Sequence, residues 1–129
     1  MTLRHAPVAA ILPAADIERA KTFYSETIGL QGPDLVAPAT FAFEGGDGTT
    51  LVVYERDSGT KADHTVAGWM VEDVEETVDE LRQKGVVFEQ YDQPGLKTDE
   101  RGIAELGDQQ VAWFKDSEGN ILAIFEALE

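Results

Sequence analysis

The stretch that decides the fold occurs twice in the chain. Residues 50–55, Thr-Leu-Val-Val-Tyr-Glu, are matched by residues 121–126, Ile-Leu-Ala-Ile-Phe-Glu. Both copies are rich in β-branched and aromatic side chains, which favour strands. We therefore expect two copies of one unit within a single domain, residues 1–129. Repeat one is predicted at about 6–57 and repeat two at about 63–129.

A strand and then a helix are predicted ahead of each copy. Val8 to Leu12 is an apolar run that we expect to form a strand ending before Pro13. Asp16 is placed to cap the helix that follows, and Gly29 is placed to end it. The second repeat has the same order, with a strand at Thr65 to Val71, a cap at Asp73, a helix end at Gly85 and a strand beginning at Val86 to Phe88.

The second repeat is longer than the first. Asp16 and Asp73 are 57 residues apart, whereas the turn glycines Gly48 and Gly119 are 71 residues apart. An extra 14 residues must therefore lie between the helix and the last hairpin of repeat two. We place them in the polar, glycine-rich stretch from Tyr91 to Asp108, which we expect to be a long loop. Such a loop either covers a binding site or is a tolerated surface insertion.

Composition excludes several classes of function. The formal net charge of −15 argues against a nucleic-acid partner, because such binding depends on cationic neutralisation of phosphates. The absence of cysteine excludes disulfides and thiolate chemistry. No apolar run approaches the ~20 residues of a membrane span, and no signal peptide is evident, so we expect no membrane partner and a cytoplasmic location. An acidic surface favours a cationic ligand by steering.

The element order resembles that of the vicinal oxygen chelate superfamily, which includes glyoxalase I, bleomycin-resistance proteins and extradiol dioxygenases. The resemblance rests on Asp16 to Tyr24 after the first strand, on Asp116-Ser117-Glu118-Gly119-Asn120 before the last, and on the repeat itself. It implies an α+β fold in which two βαβββ repeats form a curved eight-stranded mixed sheet around a cavity, with the helices outside. It also implies a homodimer.

The same resemblance locates where metal ligands would lie. In the family pattern these are seven residues before each helix cap and four residues after each turn glycine. The corresponding residues here are Ala9, Val52, Val66 and Ala123. A divalent cation needs N, O or S donors, and alanine and valine supply none. We therefore predict no metal and no cofactor at these positions.

Strand alternation predicts which other side chains face the cavity. Residues two apart along a strand share a face, which groups Gly68 with the four ligand positions. His64 has the same parity as Val66, so it is a candidate for the cavity mouth, although a hydrogen-bonding residue at the strand end is the simpler explanation. His5 shares the parity of Ala9 if the first strand extends that far. The candidate ligand-binding set is Ala9, Ile11, Val52, Tyr54, His64, Val66, Met70, Ala123 and Phe125.

The carboxylates and the remaining aromatic residues are assigned differently. Asp16 and Asp73 are explained by capping, Asp116 and Glu118 by local hydrogen bonds in a turn. Glu55 and Glu126 have the parity opposite to the cavity, and no catalytic residue is predicted. Trp69 is expected under a helix. The register of the strand from Gln110 to Lys115 is left open, so either Trp113 or Phe114 faces the cavity.

Three functions remain open from the sequence. The first is metal-independent binding of a small organic molecule, cationic or aromatic, in an apolar cavity, as the bleomycin-resistance branch implies. The second is a lyase, isomerase or dioxygenase-type enzyme with a displaced metal site or metal-free chemistry. The third is a protein whose interior is filled and whose role is interaction. Metal analysis and ligand-induced thermal stabilisation distinguish them.

Overall fold

The computed structural model describes residues 3–126, which divide between Lys61 and Ala62 into two compact units. Unit 1 and unit 2 correspond to the two predicted repeats, and each forms its own four-stranded mixed sheet. The predicted α+β class built from two βαβββ repeats is confirmed. Within 3–126 no helix is long and apolar enough to cross a bilayer.

Unit 1 places one helix against its sheet. The strand order is β1-β4-β3-β2, in which β1 runs parallel to β4 and the other neighbours are antiparallel. After a 3-10 turn at Leu3–His5, the elements are β1 Ala9–Ala14, α1 Ile17–Thr22, β2 Gln31–Ala37, β3 Thr40–Glu44 and β4 Thr50–Glu55.

The helix of unit 1 begins at the predicted cap, and the predicted end at Gly29 is reached only through a π-helical turn after α1. The Asp16 side chain accepts a hydrogen bond of 3.1 Å from the Arg19 backbone N–H. After α1 the chain continues through a π-helical turn, Phe23–Thr27, and reverses at Gly29, whose φ of 85° suits glycine. The Tyr24 ring is fully buried and packs on Phe43, with ring centroids 5.7 Å apart.

Unit 2 repeats this order with additional strands. Its main sheet has the order β5-β10-β9-β8, with β5 parallel to β10. A separate two-stranded hairpin is formed by β6 and β7. The elements are β5 Thr65–Val71, α2 Val74–Gln83, β6 Asp92–Gln93, β7 Leu96–Lys97, β8 Ile103–Leu106, β9 Gln109–Lys115 and β10 Ile121–Glu126.

The core of unit 2 lies between α2 and one face of the sheet. Asp73 caps α2 by accepting a hydrogen bond from the Glu76 N–H at 3.1 Å. This places Val74 and Val78, both fully buried, towards the sheet. Phe114 is also fully buried, and its ring lies 5.4 Å from that of Phe88. Burial of these side chains stabilises the unit by about 1.5–3 kcal/mol each.

The predicted end of the first strand is wrong. Pro13 lies inside β1, opposite Tyr54 of β4, and the strand ends at Ala14. Because β1 is at the edge of the unit 1 sheet, a residue without an N–H can be tolerated in it. The strand also starts at Ala9, so His5 lies in the preceding 3-10 turn and not in an extension of β1.

The extra residues of unit 2 do not form a structureless loop, so that part of the prediction is wrong. The stretch from Tyr91 to Asp108 contains the β6–β7 hairpin and all of β8. Since β8 occupies the sheet position that β2 has in unit 1, we define the insertion as residues 86–102. The strand predicted to begin at Val86 to Phe88 is not a full strand. It consists of a single bridge between Phe88 and Phe114 and a hydrogen bond of 2.8 Å from the Glu89 N–H to the Trp113 carbonyl.

Candidate functional site

Each sheet has one face against its helix and one face turned away from it, which we call the open face. In unit 1 the helix side holds the buried Leu12 and Val53. The open face holds Ile11, which is 63% exposed, and Val52, which lies opposite it in β4. The alternation of side chains along β1 and β4 therefore places four candidate residues on this face, Ala9, Ile11, Val52 and Tyr54.

The open face of unit 2 is richer in aromatic rings than that of unit 1. Strand register places Trp113 opposite Ala123, and Ala123 opposite Gly68. Phe125 lies opposite both Val111 and Met70, and Met70 is 60% exposed. Because directly paired residues share a face, the open face comprises Val66, Gly68, Met70, Val111, Trp113, Ala123 and Phe125.

This register decides the orientation that the sequence left open. Trp113 is on the open face and is half-buried, whereas Phe114 lies on the α2 side opposite Leu122. Gly68 has a specific role here, since a Cβ on it would lie 2.9 Å from Cε1 of Phe125. The missing side chain therefore leaves room for the Phe125 ring across β5.

The insertion adds a further ring to this face. The Tyr91 side chain packs edge-on against Trp113, with centroids 5.5 Å apart and the ring planes at 83°. Such T-shaped pairs are a favoured aromatic geometry. Glu89, next to Tyr91 on the insertion, forms an ion pair with Lys115 of β9 at 3.7 Å. Sequence analysis missed Tyr91 as a site residue because it treated the insertion as a loop.

Hydrogen bonds fix the insertion that carries Tyr91. The Tyr91 N–H donates to the Thr98 hydroxyl at 2.8 Å, and the Thr98 N–H donates to the Tyr91 carbonyl at 2.9 Å. At the far end, the Arg101 guanidinium donates to Glu75 Oε1 and Asp79 Oδ1 on α2, both at 3.0 Å. The Glu75 hydrogen bond is the main reason that the pKa of Arg101 is raised. The insertion is thus tied to α2 as well as to β9.

Tyr91 gives the open face a titratable reporter. Burial, and then the nearby Glu89 carboxylate, raise the pKa of Tyr91 above its ordinary value of 10.0. The pKa of Tyr91 is higher in the folded than in the unfolded protein, so the fold is more stable with the neutral phenol than with the phenolate. This contribution of Tyr91 to stability is fully present below pH 10 and is lost as the pH rises through the folded pKa. We expect the phenolate absorbance of wild type minus that of Tyr91→Phe to titrate with a midpoint above 10. A midpoint at or below 10 would contradict the packing against Trp113.

The two histidines do not join the other candidates on a strand. His64 precedes β5, is exposed, and its Nδ1 lies 3.1 Å from the carbonyl oxygen of the adjacent Thr65. Nδ1 must carry the proton to donate to that carbonyl. His5 is exposed in the 3-10 turn. The local bond of His64 is that of a strand-end residue, the simpler of the two roles considered.

The residues at the metal-ligand positions do not fit a metal ion. Ala9, Val52, Val66 and Ala123 all lie on open faces, where alternation predicts them, and none carries a donor atom. Among residues 3–126, no group of three or more His, Cys, Asp or Glu side chains is arranged to hold a metal. Glu44, opposite Thr50 at one end of β3, is a carboxylate on the open face of unit 1 that sequence analysis did not consider.

A separate depression of about 360 Å³ lies at the outer edge of unit 2. It is open to solvent and carries both signs of charge. Gln110 and Ile103 belong to the face opposite Trp113, so the depression is not part of the open face. Its lining residues are Lys97, Thr98, Asp99, Ile103, Glu105 and Gln110.

The two βαβββ units match the architecture of a known superfamily. Residues 5–124 match the family model of the Glyoxalase/Bleomycin resistance protein/Dioxygenase superfamily. The chain belongs to this superfamily, as the resemblance predicted. No curated protein is significantly similar to it in sequence.

Solved structures show the same fold at low sequence identity. UcmS2 is 20% identical with a TM-score of 0.71, over 96% of this chain and 99% of that one. The antibiotic-binding protein TnmS3 from Streptomyces sp. CB03234 is 20% identical with a TM-score of 0.66, over 96% and 98%. Lactoylglutathione lyase from Agrobacterium tumefaciens is 18% identical with a TM-score of 0.69, over 98% and 96%. Relatives of both binding and catalytic function therefore share this architecture.

Proposed function

We propose that the protein binds a small organic molecule on its open faces without a metal ion. The observation that carries the proposal is the replacement of the family's metal-ligand positions by Ala9 and Val52 in unit 1 and by Val66 and Ala123 in unit 2. Each open face is therefore apolar at these positions. Exposed Ile11 and Met70 extend this surface in each unit. Contiguous apolar side chains left exposed by a fold commonly mark a binding surface.

The proposed contact residues are those predicted from alternation, together with the aromatic pair of unit 2. Apolar walls with a few polar groups suit an organic ligand held by burial and stacking. The Tyr54 and Tyr91 hydroxyls and the His64 ring supply polar groups. TnmS3, a solved structure of the same fold, is an antibiotic-binding protein, so this architecture is compatible with binding an organic molecule. A homodimer stays a prediction, and the almost wholly exposed edge strand β2 supports it.

Thermal stabilisation by four matched compounds tests the proposal. Proflavine is a planar cation and anthraquinone-2-sulfonate a planar anion. Amantadine and adamantane carboxylate are their non-planar aliphatic counterparts. A bound compound at 100 times its dissociation constant should add about 2.7 kcal/mol to the free energy of unfolding. With a net charge of −15, we expect cations to bind more tightly than anions of the same shape.

Metal analysis of protein purified without a histidine tag is the second arm of the test. We expect no stoichiometric Zn²⁺, Ni²⁺, Fe²⁺ or Mn²⁺, and no stabilisation when these ions are added. Stoichiometric bound metal would overturn the proposal and favour the enzyme. No stabilisation by any of the four organic compounds would overturn it in favour of a protein with an interaction role.

A further inference from the structure

The two open faces differ in the side chains at equivalent positions. Ala123 of unit 2 and Val52 of unit 1 are equivalent residues. Trp113 lies opposite Ala123, whereas the residue opposite Val52 is Ala42. Gly68 of unit 2 lies opposite Ala123 in the neighbouring parallel strand. Ile11 of unit 1 lies opposite Val52 in the same way, so Ile11 is the equivalent of Gly68. The repeat therefore supplies an internal comparison that isolates what is particular to unit 2.

These differences make the open face of unit 2 an aromatic surface. Trp113, Tyr91 and Phe125 are all half-buried, so each ring keeps an accessible part. Beside them lies the small side chain of Ala123, and the Phe125 ring occupies the space that a side chain at Gly68 would need. The open face of unit 1 offers the Tyr54 ring alone among its β1 and β4 residues.

We infer that the open face of unit 2 holds the planar aromatic part of the ligand, with Trp113 and Tyr91 as the specificity-determining pair. The inference rests on the proposed function and narrows it to one unit and one ligand class. Rigid rings that differ in plane by 83° present a face and an edge to a flat guest. Because Thr98 and Arg101 hold the insertion in place, the pair is formed before the ligand binds, which reduces the ordering cost of binding.

Tryptophan fluorescence of a single-tryptophan variant tests this directly. Trp69 is on the α2 side of β5, so Trp69→Phe leaves Trp113 as the only tryptophan. Proflavine or anthraquinone-2-sulfonate should quench Trp113 saturably, with a midpoint equal to the dissociation constant from calorimetry. Unaltered Trp113 emission on saturation would overturn the inference.

Affinities of matched variants complete the test. Trp113→Ala should raise the dissociation constant of the planar compound by about tenfold or more. Trp113→Phe should leave that constant within about threefold of the wild-type value. Tyr54→Ala should cost less than about threefold, because unit 1 lacks the aromatic pair. Gln110→Ala, in the separate depression, serves as the control. A larger loss from Tyr54→Ala than from Trp113→Ala would overturn the inference, provided that circular dichroism shows each variant folded.

The outcomes separate the inference from the function on which it rests. If the aliphatic compounds stabilise the protein and the planar ones do not, the proposed function stands and the aromatic site is excluded. If the planar compounds bind and only Trp113→Ala loses affinity for them, both the proposed function and the aromatic site are supported. If none of the four compounds binds, both fail.

Discussion

Replacing Asp116 with alanine is expected to lower the free energy of unfolding by about 3 kcal/mol, or to lower Tm by about 12 °C. Asp116 is 7% exposed, and its carboxylate organises the turn between β9 and β10. One oxygen accepts from the Glu118 and Asn120 N–H groups at 2.8 Å, and the other accepts from the Asn120 side-chain amide at 2.8 Å. Alanine leaves these donors without that acceptor next to the fully buried Asn120.

Urea denaturation of three variants measures this effect. Asp116→Asn keeps an acceptor oxygen, so its free energy of unfolding should fall less than that of Asp116→Ala. Asp57→Ala removes an exposed carboxylate from another turn and should change stability by less than about 0.5 kcal/mol. Equal losses in Asp116→Ala and Asp57→Ala would show that the turn does not depend on the buried carboxylate.

Replacing Gly102 with alanine is expected to lower the free energy of unfolding by about 3 kcal/mol. Two effects contribute, and they can be separated. Gly102 has a φ of +88°, where an L-residue is strained by about 1–2 kcal/mol. A Cβ there would also lie 2.7 Å from Cβ of Phe88 and 3.1 Å from the Glu89 carbonyl oxygen. Neither neighbour is the flexible end of a side chain, so the two ends of the insertion must move apart.

Gly95 is the matched control for this prediction. Its φ of +80° imposes the same strain, but no atom lies within 4 Å of an added Cβ. Gly95→Ala should therefore lose only about 1–2 kcal/mol, and the difference between the variants measures the contact at Gly102. Similar losses of stability in both variants would mean that the two ends of the insertion do not pack tightly against each other. Faster amide hydrogen exchange across 86–102 in Gly102→Ala alone would confirm the contact.

Much of the fold was predictable because its signals are local. Asp16 and Asp73 cap helices through bonds three residues along the chain. Asp116 bonds within its own turn. Alternation along β4 is visible in its burial, since Leu51 and Val53 are buried and Val52 and Tyr54 are partly exposed.

What could not be predicted depends on contacts between distant segments. β2 is almost wholly exposed and contains Gly32 and Pro33, so no alternation marks it. Pro13 is compatible with a strand only because β1 is an edge. Tyr91 reaches Trp113 because the insertion is held by Arg101 on α2, a partner 22 to 26 residues away in sequence.

The sequence by itself determined what the candidate site lacks. Alanine and valine at positions 9, 52, 66 and 123 have no donor atoms in any fold, so the misfit with a metal follows from covalent chemistry alone. Only the tertiary structure decided what the site contains. Alternation fixes faces within one strand, but hydrogen-bond register between strands places Trp113, rather than Phe114, beside Ala123. The aromatic pair of unit 2 exists because that register and the anchored insertion bring two distant rings together.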